Sequence, residues 1–229
     1  MINQWIELDS EGRYSGYLVL PPAGNGPGLL LFQEIFGVNP HIRAVARQLA
    51  MDGFVVLAPD IFWRQTPRVE LGYEGEELQM GIQMAGKLQP AELLADIQAA
   101  AAALRARPEA AGRKLGAIGY CMGGRLAFNA AAVAGLDAAV CYYGGGIHNQ
   151  LEIAERIPCP VQFHYAEHDD NIPLAAVEKV RAAMGSRGEV HVYPGARHGF
   201  NCWARASYHA PSAALAHGRA LQFLAQQLF

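Results

Sequence analysis

The sequence predicts an α/β fold, with a mainly parallel twisted sheet and helices on both of its faces. Short apolar runs that end at glycine or proline alternate with longer segments in which apolar residues recur at helical spacing. Such alternation is typical of βαβ units, in which the crossover helices cover the faces of a parallel sheet. The 229 residues contain no internal repeat and no linker. We therefore expect a single domain over residues 1–229.

The predicted elements are bounded by residues that interrupt regular structure. The first buried strand, 28–33, follows a segment rich in proline and glycine, and a helix over 40–51 stops before Gly53. Further strands are predicted at 54–58, 115–119, 138–143, 160–165 and 189–193, and further helices at 91–107, 125–133, 174–184 and 207–227. Residues 64–90 contain four glycines, and we expect a loop or short helices there, over one end of the sheet.

Composition and charge restrict the class of protein. Hydrophobic residues make up 52% of the chain and charged residues 17%, which excludes disorder. The net charge of −3, without any basic block, argues against nucleic acid or an anionic membrane as a partner. No apolar stretch approaches the roughly 18 residues of a membrane helix, and the N-terminus lacks a signal-peptide pattern. The four cysteines form no C-x-x-C pair, so we expect reduced thiols and a cytoplasmic location.

One segment has the pattern of a nucleophile elbow. Gly119-Tyr120-Cys121-Met122-Gly123 lies between an apolar strand and a helix, and it is G-x-S-x-G with cysteine in the serine position. A sharp strand-to-helix turn holds the nucleophile in a strained backbone conformation, and the glycines on either side allow close approach of neighbouring chain. The turn also places Cys121 at a helix N-terminus, which favours a thiolate. The alternative is a glycine-rich turn that holds a small buried cysteine.

An elbow nucleophile requires an acid and then a histidine, in that order along the chain. Asp169 and Asp170 follow the strand 160–165, and His198 follows the strand 189–193. Loops at the carboxyl ends of parallel strands are where such sites assemble. Cys121, one of the two aspartates and His198 therefore form the candidate catalytic group, and spacing alone leaves both aspartates open.

The remaining histidines and cysteines have simpler interpretations. His164 and His168 lie near the same strand end as the acid, but two histidines without a third ligand are weak support for a metal site. Surface or packing roles are expected for the other histidines, at positions 41, 148, 191, 209 and 217. Cys141 is expected in the core, and Cys159 has no catalytic context. We expect no metal and no cofactor.

The segment Gln33-Glu34-Ile35-Phe36-Gly37-Val38-Asn39 follows the first core strand. That position supplies the second N–H group of an oxyanion hole in proteins with a nucleophile elbow, so the N–H of Ile35 joins that of Met122 as a candidate donor. Glu34 has two interpretations. It is either an ordinary acid at the start of a helix or a carboxylate that reaches Cys121 and controls its protonation.

Together with Ala58-Pro59-Asp60, His168-Asp169 and Gly195-Ala196-Arg197-His198-Gly199-Phe200, these segments resemble the dienelactone hydrolase family, whose members have the α/β-hydrolase fold. The resemblance runs from about residue 28 to the C-terminus. It implies a triad of Cys121, His198 and Asp169, with Glu34 modulating the thiol, and it favours Asp169 over Asp170.

The sequence departs from the family where the substrate carboxylate is held. Dienelactone hydrolases use two arginines, one in the segment corresponding to 76–84 and one four residues after the catalytic histidine. Here residues 76–84 contain no arginine, and the second position is Cys202. Arg64 and Arg205 are the candidate replacements, because a guanidinium is the best partner for a carboxylate. Phe36 and Tyr120 complete the candidate substrate-binding residues.

The resulting prediction is a hydrolase of small esters or lactones that acts through a thiol acyl-enzyme. The partner is a small-molecule substrate, and the oligomeric state is left open. A thioesterase or a broad-specificity carboxylesterase is the nearest alternative. A ligand-binding relative without turnover and a zinc-dependent hydrolase are more distant alternatives.

Overall fold

The computed structural model describes residues 2–229, and within that range one sheet of eight strands runs through the molecule. The strands are β1 (Asn3–Glu7), β2 (Ser15–Val19), β3 (Gly28–Phe32), β4 (Val55–Pro59), β5 (Leu115–Tyr120), β6 (Ala138–Tyr142), β7 (Val161–Ala166) and β8 (Gly188–Tyr193). Their order across the sheet is β1-β2-β4-β3-β5-β6-β7-β8. Pairing is antiparallel from β1 through β2 to β4 and parallel from β4 to β8.

Helices cover both faces of the sheet, as the alternating pattern predicts. They are α1 (Pro40–Met51), α2 (Gly75–Gly86), α3 (Pro90–Arg105), α4 (Met122–Val133), α5 (Leu174–Met184) and α6 (Ala210–Leu228). Helices α1 and α6 pack on one face, while α3 and α4 pack against each other on the opposite face. None of the helices in the described part of the chain combines the length and apolar character that a membrane crossing requires.

The central strands are buried along their whole length, which is why they appear in the sequence as continuous apolar runs. In the parallel register, Phe32 lies beside Gly119 and Tyr120 beside Tyr142. The carboxyl ends of the central strands β3, β5 and β6 therefore lie side by side, at the same end of the strands. The loops that leave these ends bring distant parts of the chain together there.

Two parts of the fold differ from the prediction. The predicted sheet begins at residue 28 and therefore lacks β1 and β2, which pair as an antiparallel extension at the edge. The segment 64–90 is not irregular throughout, because α2 extends for 12 residues within it. Only two residues of α2 are buried, Gly81 and Met84. A helix with so narrow a buried stripe has little of the periodic signal that reveals helices in a sequence.

Glycine at position 123 is required by the contact between α4 and β3. A Cβ atom at this position would lie 2.2 Å from the backbone oxygen of Phe32. Backbone atoms cannot move aside as the tip of a flexible side chain can. The N-terminus of α4 therefore reaches its position only because residue 123 has no side chain.

We predict that Gly123→Ala destabilises the protein by at least about 1–3 kcal/mol, because the added methyl overpacks this contact. Gly218→Ala is the matched control, since a Cβ at this exposed helical position meets nothing within 4 Å. The control should be stabilised by roughly 0.5–1 kcal/mol, because alanine is the better residue in a helix interior. Urea denaturation of both variants measures the two effects. Equal stability of Gly123→Ala and the wild type would contradict the close contact.

Candidate active site

Cys121 lies in the turn between β5 and α4 with the strained backbone that the elbow pattern predicts. Its φ of 55° and ψ of −118° put a non-glycine residue in a region that favours glycine. A Cβ atom on Gly119 would lie 2.0 Å from the backbone oxygen of Gly123, so the turn closes only with glycine there. Such strain is typical of functional positions, where the surrounding structure maintains it. Cys121 is half-buried, whereas the other three cysteines are buried.

A continuous chain of hydrogen bonds joins Cys121 to the ends of β7 and β8. The Nε2 atom of His198 lies 3.1 Å from Sγ of Cys121, and its Nδ1 atom lies 2.7 Å from Oδ2 of Asp169. The other carboxylate oxygen of Asp169 accepts a 2.9 Å hydrogen bond from the backbone N–H of Asn171. Asp170 is exposed and takes no part in this chain. The three side chains have the spacing that a nucleophile, a base and an acid orienting the base require.

Several opposing effects determine the pKa of His198. Burial, the largest single effect, lowers it, but the hydrogen bonds to Asp169 and Cys121 and the charges of the same two groups raise it. The net result is a rise from 6.5 to about 10. The imidazole ring is also held by the ring of Tyr143, which packs edge-on at 5.1 Å between centroids. Tyr143 was not among the predicted site residues, because in the sequence it is the last residue of the apolar run 138–143.

The two candidate oxyanion donors lie on the wall of the same cavity as Cys121. Met122 is the first residue of α4, where backbone N–H groups have no partner within the helix. Ile35 lies in the loop after β3, and α2 holds this loop in place at Gly81. A Cβ atom on Gly81 would approach the backbone oxygen of Ile35 to 2.6 Å. Helix α2 therefore packs directly against the loop that carries Ile35.

Glu34 is almost completely buried and is paired with Arg205. The Nη1 atom of Arg205 donates a 2.9 Å hydrogen bond to Oε1 of Glu34. Burial raises the pKa of Glu34, although the charges of Arg205 and His198 oppose the rise. In this arrangement the carboxylate is held by the guanidinium and not by the thiol of Cys121. The prediction that Glu34 reaches Cys121 thus remains a hypothesis about another state of the site.

Arg205 reaches the site from a turn that precedes α6. Its guanidinium packs against Gly199, where a Cβ atom would lie 2.6 Å from Nη1. The same group lies 5.7 Å from the ring of Phe36 and 5.8 Å from that of Tyr73, distances typical of cation–π contacts. It is seven positions after His198, and spacing along the sequence alone does not show that the two side chains line the same cavity.

The cavity above Cys121 has a volume of about 540 Å³. One part of its wall is apolar and comes from the β3 loop and α2, namely Ile35, Phe36, Leu78, Ile82 and Ala85. The polar part contains His198 and Arg205, and also Arg125, His148, Asn149 and Asn171, which sequence reasoning did not place in the site. His148 was expected at the surface or in packing. For Arg125 a signal was available, because residues four apart lie on one face of a helix, and Arg125 follows Cys121 by four.

Two predicted substrate-binding residues lie elsewhere. Arg64 is paired with Asp96 of α3, and its guanidinium lies over the ring of Trp63 at 4.2 Å. It lines a larger open depression of about 930 Å³ that Cys121 and His198 do not line. Tyr120 is 3% exposed and packs on Tyr142, beneath the site and not at its surface. Arg64 and Tyr120 are therefore removed from the candidate site, while Phe36 and Arg205 line the cavity.

One group of potential metal ligands lies beside the site. The ligand atoms of Glu34, His41 and Cys202 are within 4.8 Å of one another, and all three residues are buried. Burial lowers the pKa of His41 to about 4 and raises that of Cys202 to about 12. The imidazole is therefore neutral and the thiol protonated. Because Arg205 already neutralises Glu34, a metal cation here would lie against another positive charge, and we assign none.

The other predicted roles of histidines follow from their contacts. His164 is fully buried, and its ring hydrogen bonds with Gln162 and Tyr193 leave no nitrogen for a metal. His168 is exposed beside Glu167. His41 is a buried packing residue against Trp203, with 4.2 Å between ring centroids.

The raised pKa of His198 predicts a pH dependence of stability. A group whose pKa rises on folding contributes stability that is present below its unfolded pKa, here 6.5, and is lost as pH rises to about 10. Asp169→Asn removes a hydrogen bond and a charge that raise this pKa. The free energy of unfolding of this variant should therefore fall less between those pH values than that of the wild type.

The control is Asp170→Asn, which removes a neighbouring exposed carboxylate and should follow the wild type. Urea denaturation at a series of pH values measures the slopes, and NMR titration of the imidazole gives the pKa directly. Equal slopes in the Asp169 variant and the wild type would show that Asp169 does not raise the pKa of His198.

Comparison with known proteins identifies the family of this chain. A sequence model of the dienelactone hydrolase family matches residues 14–228. A carboxymethylenebutenolidase from Pseudomonas putida is 35% identical over 233 residues, which cover 98% of this chain and 97% of its own. A protein from Synechocystis, described as a proposed carboxymethylenebutenolidase, is 34% identical over 228 residues, covering 94% and 93%. A Klebsiella pneumoniae structure, described as that of a proposed dienelactone hydrolase, has 32% identity, covers 98% of both chains and superposes with a TM-score of 0.86. The chain therefore belongs to the dienelactone hydrolase family, and it is a carboxylic ester hydrolase with the α/β-hydrolase fold.

Proposed function

We propose that the protein hydrolyses small esters or lactones with Cys121 as the nucleophile. The observation that supports this most strongly is the chain of contacts from Cys121 through His198 to Asp169, at 3.1 and 2.7 Å. The chain opens into a cavity of about 540 Å³, a size suited to a small ligand. Its relatives from Pseudomonas putida and Synechocystis carry names that refer to lactone hydrolysis, which is consistent with this proposal.

The reaction proceeds in two steps. Sγ of Cys121 attacks the carbonyl carbon, and the N–H groups of Met122 and Ile35 stabilise the oxyanion. The C–O bond to the alcohol then breaks, and His198 gives its proton to the departing alkoxide. In a lactone this alkoxide remains attached to the acyl group. A water molecule next attacks the thioester, with His198 as the base that takes its proton, and Cys121 leaves as the thiolate.

The raised pKa of His198 supports this order of proton transfer. With a pKa of about 10, the imidazole holds a proton near neutral pH, before any substrate has reacted. A protonated imidazole beside Sγ favours the thiolate form of a cysteine, as does the N-terminus of α4. Asp169 holds the ring in the orientation that presents Nε2 to the sulfur. The proton needed by the leaving alcohol is thus already in place.

Glu34 and Arg205 are proposed to set the charge around the thiol. A negative charge near Cys121 disfavours the thiolate, whereas a positive charge favours it. Burial lowers the pKa of Arg205, but the charges of Glu34 and Cys121 raise it by a larger amount, so the pKa lies above its usual value. Arg205 therefore interacts electrostatically with both groups. The pair therefore acts on the thiol with two opposite charges. Loss of either member leaves the charge of the other unbalanced.

The apolar wall of the cavity is also compatible with the two nearest alternative activities. Ile35, Phe36 and Leu78 could bind an aliphatic acyl chain, as a broad-specificity carboxylesterase or a thioesterase would require. Comparing cis- and trans-dienelactone with neutral lactones, simple esters and acyl thioesters separates these activities. Retained turnover after treatment with a chelator would exclude the zinc-dependent alternative.

We predict that Cys121→Ala abolishes turnover of a 4-nitrophenyl ester together with any initial burst of nitrophenol. Iodoacetamide should inactivate the wild type with one adduct at Cys121, and substrate should slow this reaction. Cys159→Ser is the control, because Cys159 is buried outside the cavity and should not affect the reaction. Inactivation that followed modification of Cys159 or Cys202 would refute the assignment. A wild-type protein that binds esters without hydrolysing them would indicate a ligand-binding relative.

For the charge pair we predict opposite effects on the thiol. Glu34→Gln removes the negative charge and should increase the ultraviolet absorbance of the Cys121 thiolate near neutral pH and speed its oxidation by peroxide. Arg205→Met leaves the negative charge unbalanced and should decrease both. Each variant is also prepared with Cys121→Ala. Subtracting the absorbance of this double variant from that of the single variant isolates the signal of the Cys121 thiol. If Glu34 serves only to hold its loop, Glu34→Gln will lower the melting temperature and leave the thiol titration unchanged.

A further inference from the structure

The cavity contains a second arginine, Arg125, that has no partner among residues 2–229. It lies four residues after Cys121 in α4, is half-buried and lines the same cavity as Cys121 and His198. Within residues 2–229 its guanidinium forms no ion pair and no hydrogen bond. Arg205, by contrast, is paired with the buried Glu34. Arg125 is therefore the unpaired arginine of the cavity wall in the described part of the chain.

The glycines after β6 determine where the side chain of Arg125 lies. A Cβ atom on Gly146 would lie 3.4 Å from Nη1 of Arg125 and 3.5 Å from its Cδ. A Cβ atom on Gly144 would lie 3.1 Å from its backbone nitrogen. The side chain thus packs against Gly146, whereas the backbone of Arg125 packs against Gly144. This contact holds the guanidinium in the cavity wall.

The charges around Arg125 favour an anion. No aspartate or glutamate lines the described wall of the cavity, although the whole chain carries a net charge of −3. Arg125 is also in the early turns of α4, where the helix dipole disfavours a cation. A half-buried guanidinium near a helix N-terminus, with no carboxylate beside it, is poorly compensated. An anion bound there would neutralise the guanidinium and would also interact favourably with the N-terminus of the helix.

The strand order places Arg125 on a defined side of the nucleophile. Loops after β3 and β6 lie on opposite sides of Cys121, because β5 runs between these two strands. Ile35 is on the β3 side, where α2 contributes an apolar wall without arginine. Arg125 packs on the β6 side, beside His148 and Asn149, whose side chains can also donate hydrogen bonds.

We propose that Arg125 binds a carboxylate of the substrate, on the β6 side of Cys121. The inference rests on the proposed ester or lactone hydrolysis and specifies its substrate class as anionic esters or lactones. A guanidinium binds a carboxylate through two parallel N–H···O hydrogen bonds, which provides orientation as well as affinity. The ester carbonyl then lies between this anchor and the oxyanion donors. The segment 76–84, which has no arginine, needs no role in carboxylate binding.

The first test uses a matched pair of substrates, 4-nitrophenyl hydrogen succinate and its methyl ester. They differ in one negative charge at the end of the acyl chain. In Arg125→Ala, the ratio of kcat/KM for the anionic ester to that for the neutral ester should fall about 10- to 100-fold, mainly through KM of the anion. Arg125→Lys should recover part of the ratio, because it restores the charge but not the paired hydrogen bonds.

Arg47→Ala is the matched control, since Arg47 is exposed on α1 and outside the cavity, and the change in net charge is identical. It should leave the ratio as in the wild type. An equal loss for both esters in Arg125→Ala, or an unchanged ratio, would overturn the proposal. A ratio that falls equally in Arg47→Ala would show that only net charge matters, which also overturns it.

The second test measures binding without turnover. The Cys121→Ala variant is titrated with 4-nitrophenyl hydrogen succinate by calorimetry, alone and combined with Arg125→Ala. The Kd should rise about 10- to 100-fold on loss of Arg125. Equal Kd values would refute carboxylate binding by Arg125, even if the wild type hydrolyses the ester. Conversely, if the wild type does not hydrolyse the ester but the two Cys121→Ala proteins differ in Kd as expected, only the proposed reaction is refuted.

Discussion

The site depends on how closely the backbone around Cys121 approaches its neighbours. A cysteine at φ of 55° is strained, and the surrounding contacts maintain the strain because the residues two positions before and after it, Gly119 and Gly123, have no side chains. Gly119 approaches the backbone of Gly123, and Gly123 approaches that of Phe32. These contacts fix the position of Sγ relative to the carboxyl ends of β3 and β5. The oxyanion donors, the base and the cavity are all arranged around that point.

Charge in the site is organised as two pairs and one unpaired cation. Asp169 holds His198 at 2.7 Å, and Arg205 holds Glu34 at 2.9 Å. Both carboxylates are buried, and a buried carboxylate without a partner would be costly. Arg125 has no such partner within the described residues. The two pairs carry the proposed chemistry and its control, and the unpaired cation is the proposed binding group for an anionic substrate.

Particular elements show which features the sequence could predict. The central strands were predicted because burial on both faces requires continuous apolar runs, as in 28–33 and 138–143. Strand β1 was missed because it lies at the sheet edge with an irregular burial pattern. For the segment of α2 the sequence left a loop and short helices both open, because the helix buries only Gly81 and Met84. Weakly buried elements leave little periodic signal, so pattern analysis cannot separate them from loops.

The sequence by itself determined the elbow at Cys121, the order of acid and histidine, and the fold class. These features depend on local chemistry, since a strained turn needs glycines at fixed spacing and parallel strands need apolar residues. Only the tertiary structure decided which arginine is near Cys121. Arg64 pairs with Asp96 and Arg205 with Glu34, while Arg125 lines the cavity with no partner in the part of the chain that the structure describes. A single arginine leaves no periodic pattern in the sequence. The partner of its long, flexible side chain is set by contacts between residues far apart in the chain.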